Sequence, residues 1–70
     1  MNRPAVCFGG PSPEHDISIL TGLQAVRALA EAGNDVVALY WSKTGNWFEV
    51  PSDVEPSEFA DGLPRSADPV

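Results

Sequence analysis

The residues best placed to do chemistry lie in one stretch, Phe8-Gly9-Gly10-Pro11-Ser12-Pro13-Glu14-His15-Asp16-Ile17-Ser18. Two adjacent glycines let the backbone turn sharply and come close to a ligand. The polar run after them reads as a helix start, whose first N–H groups have no partner within the helix and can hold an anion or carboxylate. Glu14 puts a carboxylate in the same place, suited to gripping an ammonium group or activating a hydroxyl. The bland reading is that Glu14 only complements the positive end of the helix dipole. Ser18 is better suited to bond backbone near the helix start than to act as a nucleophile, because no base stands near it. His15 reads as solvent-facing or capping, with no catalytic part.

Two phosphate-binding patterns are missing. There is no Gly-Lys-Ser/Thr, which excludes a P-loop. The turn has only Gly9-Gly10, and the next apolar run ends in Tyr40-Trp41 with no acid to take a ribose, which argues against a dinucleotide site. Cys7 is the sole cysteine and His15 the sole histidine, so no metal site is expected from either residue type. Cys7 sits in the apolar run Ala5-Val6-Cys7-Phe8 and reads as a small buried side chain. A chain without a disulfide suits a reducing cytoplasm.

The elements that must hold these residues follow from periodicity. Ala5 to Phe8 is a continuous apolar run closed by glycine, as in a parallel strand covered on both faces. Ser12 is a good N-cap and Pro13 suits the first helical position. Ile19, Leu23, Val26 and Ala30 then recur at spacings of four and three to make one apolar stripe, and Gly33 ends the helix. Ile17 lies well off that stripe. It is either the apolar wall of a small amino-acid pocket or a contact to an element outside this chain. Asp35 to Trp41 reads as a second strand, Ser42 to Asn46 as a turn, and Trp47 to Val50 as a third strand, with Trp41 and Trp47 in the core or packing across the hairpin.

The expected fold is therefore α/β: a βαβ unit plus a hairpin over residues 1–50, the opening half of a larger Rossmann-like domain. One face of so small a sheet would be left bare. Residues 51–70 hold four of the seven prolines and five acids, the composition of an acidic linker or extended loop. The chain is expected to continue past Val70.

The formal charge of −6, with four Lys+Arg set against ten Asp+Glu, is wrong for a nucleic-acid surface. No run approaches the ~20 apolar residues needed to span a bilayer, and none has the form of a signal peptide. Neither nucleic acid nor membrane is an expected partner.

Gly9-Gly10-x-Ser12-x-Glu14-His15-Asp16-Ile17-Ser18 resembles the N-terminal signature of D-alanine–D-alanine ligases. The likeness runs on through the helix to Tyr40, Lys43, Gly45 and Trp47, covering roughly residues 4–50. Pro11 departs from the basic or polar residue usual there. The resemblance implies the first part of a pre-ATP-grasp domain in a cytoplasmic ligase of peptidoglycan synthesis, which joins two D-alanines through an acyl phosphate made with ATP and Mg2+. It also implies that Glu14 binds the first D-alanine's ammonium and orients a serine, and that Ile17 touches that D-alanine's methyl. Gly9, Gly10 and Ser18 line the same edge. The family's serine and tyrosine, its phosphate-binding lysines and arginine, its magnesium-binding acids and its His-Gly-x-x-Gly-Glu-Asp-Gly motif have no counterpart in this chain. The expected partners are D-alanine, the remaining ATP-grasp domains and a second copy in a homodimer. By itself the chain is expected to be inactive. Two alternatives remain: a related ligase joining D-alanine to D-lactate or D-serine, and a stand-alone, non-catalytic binding module.

Overall fold

A computed structural model describes residues 3–11, 13–60 and 62–70. Strand β1 spans Ala5–Gly9, helix α1 His15–Glu31, β2 Val37–Trp41 and β3 Trp47–Val50. A 3-10 turn follows at Pro56–Phe59 and a short β4 at Asp68–Pro69. The strands form one sheet in the order β1-β2-β3-β4. β1 and β2 are parallel with Ala5 opposite Val37 and Gly9 opposite Trp41, as a crossover through α1 requires. The β2–β3 and β3–β4 pairs are antiparallel.

The apolar stripe of α1 does what its spacing demands. Ile19, Leu23 and Val26 are buried on the sheet against Phe8, Ala38, Tyr40 and Val50, with Ala30 and Leu29 at the margin. Gly22 brings helix and strand together, since a methyl group there would run into Cβ and Cγ of Phe8. The helix stops at Gly33, which has φ of +93°. Gly33 N–H donates to Ala30 O at 3.0 Å and Asn34 N–H to Leu29 O at 3.1 Å, the paired bonds of a Schellman end.

The start of α1 differs from the sequence expectation. Pro13 and Glu14 lie in a turn, and Glu14 occupies the N-cap position. Its carbonyl accepts the first helical bond, from Ser18 N–H at 2.9 Å. Ser12, expected to cap, lies outside the described residues.

One further expectation is corrected. Cys7 is exposed. Within this chain α1 covers one face of the sheet, so Ala5 and Cys7 point to the uncovered side while Phe8 packs inward. Parts of the segment after Val50 pack on the domain. Val54 is buried in the core, Phe59 packs against it, and Phe48 and Glu49 of β3 pair with Pro69 and Asp68. Arg27 on α1 also reaches Glu55 at 3.1 Å. The uncovered sheet face carries the Trp41–Trp47 pair, stacked across the hairpin with ring centroids 5.3 Å apart and planes 2° from parallel. Both indoles are partly exposed, so they pack across strands and lie outside the core.

Candidate functional site: the turn from β1 into α1

Gly9 and Gly10 have φ of +95° and +103°, a region in which a side chain is strained. Space forbids one as well. A Cβ on Gly9 would meet the Trp41 carbonyl and the Tyr40 ring, and one on Gly10 would press on the Trp41 indole. The close approach these glycines allow is thus to β2. Gly10 N–H donates to Trp41 O at 2.6 Å, extending the parallel ladder one residue past β1. Gly9 N–H donates to Ser18 Oγ at 2.9 Å. Ser18 therefore bonds backbone, although its partner is the end of β1 and not the helix start.

His15 ties the turn together and is the residue that sequence reasoning missed. It is 4% exposed, and the Tyr40 phenol is the one other buried side chain among the described residues that carries a polar group. Nδ1 lies 2.6 Å from Gly10 O and Nε2 lies 2.8 Å from Tyr40 Oη. A carbonyl can only accept, so Nδ1 carries the hydrogen. Nε2 of the neutral ring then accepts from the tyrosine hydroxyl. A signal was available in the sequence: His15 is four residues before Ile19, on the same apolar stripe. Tyr40 is packed by Phe8, Phe48 and Phe59 as well as His15. Burial raises its pKa above the ordinary value of 10.0, and the Asp16 carboxylate raises it further.

The other expected site residues sit on the outer side of the first turn. Glu14 is exposed at the helix mouth. Ile17 is 62% exposed, and at two residues from Ile19 it faces away from the sheet. The structure thus groups Gly9, Gly10, Glu14 and Ser18 around one turn and sets Ile17 just outside it. An open cleft of about 620 Å3 lies between α1, the hairpin and the 3-10 turn, with His15, Asp16, Leu20, Tyr40, Lys43 and Phe59 in its wall. None of the five expected site residues lines it.

Residues 3–69 match the family described as D-ala D-ala ligase N-terminus. The chain belongs to that family. Among its relatives is the D-alanine–D-alanine ligase of Leptospira interrogans, 41% identical over 64 residues, with 91% of this chain and 16% of the relative covered. The enzyme of the same name from Thermosipho melanesiensis is 36% identical over 64 residues, covering 89% of this chain and 18% of that protein. The one from Bifidobacterium animalis is 35% identical over 66 residues, covering 94% and 18%. Among solved structures, the VanG D-Ala:D-Ser ligase from Enterococcus faecalis matches with a TM-score of 0.54 and 26% identity, over 87% of this chain and 18% of that one. The chain thus spans less than a fifth of the length of these relatives.

No group of three or more His, Cys, Asp or Glu among the described residues could hold a metal. The chain's only lysine, Lys43, stands on the hairpin turn and borders the cleft. No helix of the described residues is long and apolar enough to cross a membrane.

Proposed function

We propose that this chain is the substrate-binding N-terminal segment of an ATP-dependent D-alanine–D-alanine ligase. The observation that carries the reading is the turn from β1 into α1, where two glycines at positive φ, packed against β2, deliver Glu14 to a helix mouth. The match of residues 3–69 to the ligase N-terminus family supports it. In this reading Glu14 grips the ammonium of the first D-alanine, and Gly9, Gly10 and Ser18 fix the backbone beneath it. Ile17 stands one helical turn in and supplies an apolar wall for the substrate's methyl group. ATP and Mg2+ are held by other domains of the same protein, which also close over Ile17. The enzyme works in the cytoplasm, as a homodimer, making the dipeptide used in peptidoglycan.

The likeness to a D-Ala:D-Ser ligase supports a second reading in which the second substrate is D-serine. The assay separates the two. Full-length protein supplied with ATP, Mg2+ and D-alanine should release phosphate and D-alanyl-D-alanine in equal amounts. Phosphate release that needs D-serine beside D-alanine would favour the second reading. ATP turnover indifferent to D-alanine, or no turnover, would contradict both.

A further inference from the structure

We infer that His15 is a positioning residue for Glu14, acting through the bond from its Nδ1–H to the Gly10 carbonyl; this rests on the reading of Glu14 given above. The geometry is a closed ring. Gly10 is held to β2 through its N–H and to the first helical residue through its carbonyl, so the segment from residue 10 to residue 15 is pinned at both ends. Pro11 and Pro13, close to the two ends, each have a restricted φ. Glu14 is the last residue of that segment, directly beside the histidine. Its carbonyl is fixed by Ser18 N–H, and Ser18 Oγ in turn holds Gly9 N–H. The backbone from which Glu14 leaves the helix mouth is therefore held by the two glycines and the imidazole together.

The second arm of His15 explains why an imidazole is used. Nε2 receives Tyr40 O–H from the middle of the sheet, where Phe8, Phe48 and Phe59 hold the tyrosine ring. The Gly10 carbonyl, which can only accept, keeps the hydrogen on Nδ1, and the Tyr40 hydroxyl, which can donate, suits the Nε2 left bare. A phenylalanine at position 15 would fill the space and leave both the Gly10 carbonyl and the Tyr40 hydroxyl without these partners. A site residue displaced by a fraction of an ångström to an ångström loses substrate contacts far out of proportion to any change in the fold.

Three substitutions in the full-length protein separate positioning from packing. Asn carries its amide N–H at the same bond distance from the backbone as Nδ1, so His15→Asn keeps the bond to Gly10 and gives up Tyr40. Gln reaches as far as Nε2, so His15→Gln keeps Tyr40 and gives up Gly10. His15→Phe gives up both. The readouts are KM for D-alanine, KM for ATP, the melting temperature, and deuterium uptake by the backbone of residues 9–14. His15→Asn should stay within about threefold of the parent KM for D-alanine. His15→Gln and His15→Phe should raise it by roughly ten- to a hundredfold, with KM for ATP unchanged, and should exchange faster at the turn. A packing role predicts no such split, with Gln and Asn alike and activity following the melting temperature; that result overturns the inference. If the parent protein shows no D-alanine-dependent turnover, the proposed function fails. Deuterium uptake then still decides the inference, because equal uptake in the Asn and Gln variants contradicts it.

Discussion

At the scale of single residues, His15 joins the Gly10 carbonyl to the Tyr40 hydroxyl and so ties the turn to the sheet. The Gly9-Gly10 pair and the acid at position 14 follow from residue type alone. Their clamping does not, because Gly10's partners, Trp41 and His15, come from β2 and from the helix the turn opens. His15 was read as surface because histidine is polar; its place on the Ile19 stripe was the stronger signal. Cys7 was misread for a related reason. An apolar run says a strand is buried, but how many faces are covered depends on what packs there. Tyr40 offers a direct test of the buried network. It is the only tyrosine in the chain, so tyrosinate absorbance reports it alone. Its folded pKa lies above 10.0, the value expected once unfolded. The phenol's contribution to stability is therefore complete below about pH 10 and is lost as pH rises through the folded value. The absorbance midpoint of the folded chain should lie above 10 and fall back to about 10 in denaturant. A midpoint at or below 10 in the folded chain would mean that the hydroxyl is not buried as described.

At the scale of elements, periodicity and punctuation carried most of the fold. The 3.6-residue stripe placed α1, Gly33 stopped it, and the apolar runs around Ser42 to Asn46 gave the hairpin with its stacked indoles. The tail was harder to read. Val54 and Phe59 are isolated apolar residues among prolines and acids, and only contacts distant in sequence draw them into the core. Gly22 is another feature set by tertiary structure. In an open helix Gly→Ala gains about 1 kcal/mol, yet here the added methyl meets Phe8, which is itself held by Tyr40 and Phe59. Overpacking of this kind costs about 1–3 kcal/mol, so the net effect of Gly22→Ala should be destabilising. In thermal unfolding followed by circular dichroism the midpoint should drop by several degrees. A raised midpoint would show that helix and strand are farther apart than this packing requires.

At the scale of the molecule, one sheet face is covered by α1 and the tail, while the other leaves Ala5, Cys7, Trp41 and Trp47 exposed. That imbalance suits a segment that works beside other domains, and the chain matches less than a fifth of each ligase relative. The central claim is that this segment brings Glu14 to the amino-acid substrate, and substituting Glu14→Gln in the full-length protein tests it most directly. Gln keeps the shape and removes the charge. If the carboxylate grips an ammonium in a closed site, D-alanine-dependent kcat/KM should fall by roughly a hundredfold or more while the melting temperature barely moves. If Glu14 only complements the helix dipole, the change costs about 0.3–1 kcal/mol of stability and leaves turnover alone. Near-normal turnover and D-alanine affinity in that variant would contradict the account.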